Sequence, residues 1–394
     1  MYNLNCIDIT KAVGDFDYAQ EIGLNVRSFN VDMESKKLYM LNFNKEKLHP
    51  GLENFRSVIT DGEKIVCFSP PKAFKYEDFP NNKCLFTVEE FVEGTMINVF
   101  NYEGTWMCAT KSIIGAKCKF FKDFAKTYRT LFLEVMNHIG LEFVDLDKTC
   151  CYSFVMQHPE NRIVVPFKEM SLVLIKKYKC VGYNVEEINT LEELEGLDVI
   201  IKKPRVFDKY SSNYINQIKD VFESEDNSYK MMGIVINCGG DRTKVWNPNY
   251  LKVKKLRGNN PKIQFQFYHL LKDKLIVQFL RYYPEYKKLF QEFKIDLFGY
   301  TEQLWRKYRA CYIYREKPLK EFGKQYRTHM FKIHQLYLTE LKRVNKHTDK
   351  KFVIDYVNKL SPAELMYSIN FVYREQKVDG ATFVASNDIE LNLV

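Results

Sequence analysis

The sequence has 394 residues, which is enough for two domains that each bury a core. It is 46% hydrophobic and carries a formal net charge of +9. No run of about 18 apolar residues occurs, and the amino terminus lacks the basic and apolar regions of a secretory signal, so neither a membrane span nor secretion is predicted. The 10 cysteines form no C-x-x-C pair and no zinc-finger spacing, which predicts reduced thiols, no metal site and a cytoplasmic location.

The first 255 residues predict short strands joined by turns, which is the pattern of an α+β fold with antiparallel sheets. Hairpins are expected around Tyr102-Glu103-Gly104 and Gly239-Gly240-Asp241, where glycine favours a tight turn. Apolar residues at helical spacing predict helices over residues 120–139 and 191–197.

The pattern changes after Arg257, where strand signals stop and amphipathic helices follow. One helix is expected to begin near Pro318 and another at Pro362, since proline suits a first helical turn. We therefore predict two domains, residues 1–257 and an all-helical domain over residues 258–394.

The excess of positive charge lies in the helical domain. After residue 255, Lys and Arg outnumber Asp and Glu by 25 to 15, and before it the numbers are 34 and 35. Such an excess, interleaved with tyrosines, favours an RNA partner, although a solvated helix surface is the plainer alternative. The RNA-binding candidates are Arg306, Lys307, Arg309, Arg315, Lys317, Lys320, Lys324 and Arg327.

Several short segments of the first domain occur in an informative order. They read FRSVI from residue 55, PPKAF from 70, EEFVEGTMI from 89, ATKS from 109, SFVMQHPENRIVVPF from 153, MGIV from 232 and KVW from 244. In this order they resemble the core of phage-type RNA ligases, the relatives of tRNA-repair ligases. The resemblance implies an ATP-grasp-like nucleotidyltransferase domain with two antiparallel sheets, followed by the all-α domain.

The resemblance also implies roles for single residues. Enzymes of this family attach AMP to the lysine of a Lys-x-Asp/Glu-Gly motif, and Phe91 stands at that position here. Ser153 and Met232 replace two carboxylates, and Trp246 replaces a phosphate-binding lysine. The positions that fit the family, and are therefore candidates for nucleotide or phosphate binding, are Arg56, Lys72, Glu93, Gly94, Lys111, Arg162 and Lys244.

These four losses predict a pseudoenzyme that binds RNA or a nucleotide without covalent transfer and needs no cofactor. An active ATP-dependent RNA ligase stays open as an alternative, with ATP, Mg²⁺ or Mn²⁺ and an unconventional lysine such as Lys83, Lys111 or Lys377. A structural subunit of a viral or nucleoprotein assembly is a third hypothesis. The composition, rich in Asn, Lys and Tyr, favours a virus-encoded protein in the host cytoplasm or the virion.

Overall fold

The computed structural model describes residues 1–31, 36–79, 86–119, 126–188, 200–210, 215–224, 227–238, 240–372 and 374. The chain divides into two compact units, Met1–Lys255 and Leu256–Val394. Antiparallel sheets make up most of the first unit and helices the second, so the predicted α+β class is confirmed.

Fourteen strands are found in the described part of the first unit. They are β1 (Tyr2–Asn3), β2 (Leu24–Asn30), β3 (Lys37–Phe43), β4 (Arg56–Thr60), β5 (Ile65–Cys67), β6 (Phe86–Glu90), β7 (Thr95–Tyr102), β8 (Thr105–Ala109), β9 (Cys150–Gln157), β10 (Ser171–Val181), β11 (Asn184–Ile188), β12 (Val206–Tyr210), β13 (Gly233–Cys238) and β14 (Asp241–Trp246).

The strands form three sheets rather than the predicted two. Their orders are β1-β11-β10-β9-β7-β8, β12-β6-β13-β14 and β2-β3-β4-β5. The third sheet consists of four strands consecutive in the chain. Alternating apolar residues in the sequence indicate strands in this region, but they do not indicate that these strands form a separate sheet.

The sheet β12-β6-β13-β14 has one apolar and one polar face. Val88, Ile234 and Val245 point into a small core on one side. Because side chains alternate along a strand, their neighbours Glu89, Val235 and Lys244 lie on the opposite face. That second face carries the candidate site.

The helices are α1 (Ile9–Gly14), α2 (Phe16–Glu21), α3 (Tyr128–Ile139), α4 (Ile215–Glu223), α5 (Pro248–Arg257), α6 (Ile263–Lys272), α7 (Ile276–Tyr282), α8 (Lys287–Tyr308), α9 (Lys324–Leu336), α10 (Lys350–Lys359) and α11 (Pro362–Ile369). Among the residues described after Leu256, no strand occurs. No helix of the described segments is long and apolar enough to cross a membrane.

Both hairpins predicted from the sequence are present in the structure. Tyr102 lies opposite Thr105, and the two turn residues Glu103 and Gly104 both have positive φ, as a type I′ hairpin requires. The hairpin of β13 and β14 is also present, with Cys238 opposite Asp241.

The predicted helix starts need correction. The helix expected over 120–139 begins at Tyr128, because the Thr127 hydroxyl caps it by accepting a hydrogen bond from the Thr130 amide at 3.2 Å. Pro318 precedes a single 3₁₀ turn, Leu319–Glu321, and the α-helix begins only at Lys324. The helix start at Pro362 is confirmed, and a capping box formed by Ser361 and Glu364 caps its amino terminus. Residues 120–125 and 191–197 lie outside the described part.

One thiol prediction is wrong. Cys238 is disulfide-bonded, so the prediction of reduced thiols does not hold at this position.

Candidate functional site

A cavity of about 210 Å³ opens on the polar face of the β12-β6-β13-β14 sheet. Five residues singled out in the sequence line it: Arg56, Phe91, Gly94, Met232 and Lys244. It also has lining residues that the motifs did not indicate, chiefly Glu89, Glu90, Lys176, Asn237 and Arg242.

Strand register explains why distant residues meet in this cavity. Val235 on β13 pairs with Glu89 on β6 and with Lys244 on β14, so the three side chains form one row across the sheet. The backbone amide of Phe91 donates to the Gly233 carbonyl at 2.9 Å and fixes the start of the loop after β6.

Two glycines of the motifs are required by close backbone approach. A Cβ on Gly94 would lie 2.4 Å from the Met156 carbonyl oxygen, and one on Gly233 would lie 2.2 Å from the Val245 oxygen. Both residues also have φ near +150°, which only glycine adopts readily. These glycines allow β9 and β14 to approach the walls of the cavity.

Phe91 and Trp246, which stand where the resemblance implies lysines, contact each other. Their ring centroids are 5.0 Å apart in an edge-to-face arrangement. The Nζ atom of Lys244 lies 4.1 Å from the Phe91 ring centroid, and Nζ of Lys254 lies 5.1 Å from that of Trp246. Lysine amines therefore lie beside both rings, although neither is attached at position 91 or position 246.

Lys244 has an unusual charge state. Burial is the main reason that its pKa falls to about 6, and nearby cations lower it further: Arg242, Arg56, Lys111 and Lys254. In the described part of the chain its amine has no carboxylate within salt-bridge distance and no hydrogen-bond acceptor. At neutral pH most molecules therefore carry Lys244 as a neutral amine.

Two arginines, the buried Arg242 and the partly buried Arg56, line one wall of the cavity. Arg242 donates from Nε to the Pro71 carbonyl at 3.0 Å and from Nη2 to the Pro70 carbonyl at 3.2 Å, and Arg56 donates from Nη1 to Pro70 at 3.2 Å. Burial lowers the pKa of Arg56 to about 10 and lowers that of Arg242 as well. Both guanidinium groups remain charged at neutral pH.

Glu93, a predicted nucleotide contact, is buried and accepts hydrogen bonds from the backbone. Its side chain is only 5% exposed, and Oε1 accepts hydrogen bonds from the amides of Val164 at 2.8 Å and Val165 at 3.0 Å. Burial raises its pKa, and these two bonds and one from Tyr250 oppose that rise. Arg162 lies beside it, with Nε donating to the Val164 carbonyl at 3.0 Å. The pair anchors the segment that follows β9.

Three further candidates lie outside the cavity. Ser153 is fully buried and donates to Asn98 Oδ1 at 2.8 Å. Lys72 lines a neighbouring cleft of about 540 Å³. Lys111 is near enough to lower the pKa of Lys244 but does not line the cavity, and its own pKa is lowered by burial and by Arg56. Lys83 and Lys377 lie outside the described residues.

The cavity does not fit the metal site that the resemblance implies. The two carboxylate positions hold Ser153 and Met232, and the carboxylate of Glu93 is engaged by backbone amides. Glu89 and Glu90 also line the cavity, but neither belongs to a group of three potential metal ligands among the described residues.

A second acidic cluster does not fit a metal either. Glu134, His158 and Glu160 bring ligand atoms within 4.8 Å of one another. However, the Lys126 amine bridges the two carboxylates at 2.9 and 2.8 Å. His158 Nδ1 accepts from the Glu160 amide at 3.0 Å, so the proton of the neutral ring is on Nε2, the atom that faces Glu134.

The basic candidates of the second unit lie on α8, on α9 and in the segment between them. Several pack on aromatic rings of their own unit: Lys307 on Tyr326, Arg309 between Trp305 and Tyr314, and Lys317 on Phe322. Arg306 is 3.5 Å from Glu302, and Arg327 donates to the Lys320 carbonyl. These five side chains therefore have partners within their own unit, and RNA contact by the group of eight remains a prediction.

No protein-family model matches the sequence. An RNA ligase of Rhodothermus phage RM378 is 27% identical over 201 residues, which is 43% of this chain and 45% of that ligase. Over this segment the chain is similar in sequence to a phage RNA ligase. The similarity spans less than half of that protein, so the activity of the whole ligase is not transferred by it.

Solved structures give weaker likenesses. An archaeal ATP-dependent RNA ligase has a TM-score of 0.43 and 13% identity, covering 94% of this chain and 98% of its own. A Naegleria gruberi RNA ligase with PPi has a TM-score of 0.33 and 12% identity, covering 59% of this chain and 77% of its own. Scores this low support no argument about the site.

Proposed function

We propose that this RNA ligase-like protein binds the phosphate groups of a nucleoside triphosphate or of an RNA end in the cavity beside Lys244. The observation that supports this proposal is the cluster of Arg56, Arg242 and Lys244 in the cavity wall, none of which forms an ion pair with a described residue. Guanidinium groups held in fixed positions are strong partners for phosphate. No resident cofactor is proposed, and ATP enters as a ligand.

The size of the cavity agrees with phosphate rather than with a whole nucleotide. Its volume of about 210 Å³ is below the roughly 300–1,000 Å³ of pockets that enclose drug-sized ligands. An adjoining cavity of about 270 Å³ shares Lys176, Asn237 and Arg242 with it. The two together offer room for a triphosphate and part of a nucleoside.

Two versions of this function differ in whether a bond to the protein forms. Ser153 and Met232 at the former carboxylate positions support binding alone, the pseudoenzyme hypothesis. The sequence relation to a phage RNA ligase and the unpaired amine of Lys244 support the alternative, an ATP-dependent RNA ligase with an unconventional lysine. No observation favours a purely structural subunit.

Calorimetry with ATP, and with RNA oligomers carrying either a 5′-phosphate or a 5′-hydroxyl, tests the shared proposal. Arg56→Gln is expected to weaken phosphate binding about tenfold or more, the scale of a lost charge-assisted contact. Arg129→Gln, an exposed arginine of the same unit, is the matched control and should bind like the wild type. The proposal would be contradicted if neither ATP nor the 5′-phosphorylated RNA bound at millimolar concentration. It would also be contradicted if Arg56→Gln and Arg129→Gln bound these ligands equally well.

A further inference from the structure

We propose that the ε-amine of Lys244 takes the place of the lysine missing at position 91 and accepts the nucleotidyl group of ATP. This inference rests on the proposed function, because it requires a nucleoside triphosphate in the cavity. It adds a covalent step and names the residue that carries it.

The geometry supplies the main argument. Phe91 stands where the resembled family has its nucleophile, and Nζ of Lys244 lies 4.1 Å from the centre of the Phe91 ring. The Lys244 side chain starts two strands away, on β14, and projects from the same face of the sheet as Glu89 on β6. An amine therefore lies beside position 91 although none is attached there.

Other lysines are less suited to the role. Within the described part of the chain, Lys176 is the other lysine that lines the cavity, and its amine forms an ion pair with Glu187. Lys72 lines a different cleft, and Lys111 lies outside the cavity. Of the two lysines that line the cavity, Lys244 is thus the one whose amine is not engaged by a described carboxylate.

The charge state of Lys244 agrees with this assignment. A lysine attacks phosphorus only as a neutral amine, and burial together with four nearby cations lowers the pKa of Lys244 to about 6. The amine needs no separate base to be deprotonated before the reaction at neutral pH.

The step balances without further reactants. A bond forms between Nζ of Lys244 and the α-phosphorus of ATP, while the bond from that phosphorus to the oxygen bridging to the β-phosphorus breaks. Pyrophosphate leaves with the electron pair of the broken bond, and one amine proton passes to pyrophosphate or water. The product is a lysyl phosphoramidate of AMP. Arg56 and Arg242 line the same cavity and would offset the charge of the departing pyrophosphate.

Intact-mass analysis of the full chain after incubation with ATP tests the assignment, in parallel with ATP calorimetry on the same samples. Samples with Mg²⁺, with Mn²⁺ and with a chelator are compared. The wild type is expected to gain the mass of one AMP, and peptide mapping should find it on Lys244. The adduct should be acid-labile and stable in base, as a phosphoramidate is.

Lys244→Met and Lys244→Arg are expected to lose the adduct, whereas Lys37→Met, which changes an exposed lysine of the same unit outside the cavity, should keep it. An adduct that persists in Lys244→Met overturns the inference but leaves the proposed function in place. A wild type that binds ATP and gains no mass also overturns it and identifies the protein as a pseudoenzyme. A wild type that neither binds ATP nor 5′-phosphorylated RNA removes the proposed function as well.

Discussion

Replacement of Lys244 by methionine should stabilise the first unit and remove part of its dependence on pH. The amine is neutral in the folded protein at pH 7, since its pKa is lowered to about 6. In the unfolded chain the same amine is protonated up to its ordinary pKa of about 10.4. Folding at pH 7 therefore requires the loss of a proton, which costs free energy that methionine does not incur.

The size of the effect follows from the distance between pH 7 and the unfolded pKa. At about 1.36 kcal/mol for each unit, roughly 3.4 units correspond to about 5 kcal/mol at pH 7. The Lys244 side chain is partly exposed and can turn towards water, which reduces the penalty. We expect Lys244→Met, of similar length, to gain about 2–5 kcal/mol in free energy of unfolding.

The sign of the pH dependence is also determined. Between pH 6 and about 10 the unfolded chain binds one more proton at this site than the folded one, so the wild type becomes more stable as pH rises, by up to about 1.4 kcal/mol per unit. Lys244→Met lacks this contribution, and the difference between the two proteins should shrink steadily over that range.

Hydrogen exchange of the amides of β13 and β14, followed from pH 6 to 9, measures the stability difference between the two proteins in the part of the chain that holds Lys244. Because all other titrating groups are common to the two proteins, the difference isolates Lys244. A constant difference over this range, or a variant less stable than the wild type at pH 7, would refute the assigned charge state.

The remaining predictions concern the cavity walls. Gly94→Ala should cost more than about 2 kcal/mol of stability in chemical denaturation, whereas Gly14→Ala, with open space around it, should be neutral; equal costs would contradict the close approach. Phe91→Ala should enlarge the cavity and strengthen ATP binding about tenfold in calorimetry, and an unchanged affinity would show that the ring does not limit entry. Met232→Glu should supply a counter-charge and raise the pKa of Lys244. Labelling of Lys244 by an amine reagent should then require a higher pH; an unchanged pH profile would show that a charge at position 232 does not act on Lys244.

Local features of the fold were accessible from the sequence because they depend on near neighbours. The Glu103-Gly104 turn and the strands around it follow from glycine position and alternation of apolar residues. The grouping of strands into three sheets depends on non-local pairing, such as β6 with both β12 and β13, which alternation does not specify.

The candidate site could be predicted only in part, because the sequence does not show how side chains far apart in the chain are oriented. Motif order indicates which residues matter but not which way their side chains point. Glu93 and Ser153 occupy motif positions, yet the first binds the amides of Val164 and Val165 and the second binds Asn98. Arg242 carries no motif signal, and it reaches the cavity because β14 aligns it with Lys244 two residues away.

The substitutions around the cavity have a linked electrostatic consequence. A carboxylate at position 232 would line the same cavity as Lys244 and hold its amine protonated, as a phosphate-binding cation. With methionine there, and with Arg56 and Arg242 nearby, the lysine loses its counter-charge and with it the proton. Methionine at position 232, where the resemblance implies a carboxylate, is therefore expected to change the chemistry of Lys244 as well. Without that counter-charge the cavity favours a neutral amine, the form that attacks phosphorus.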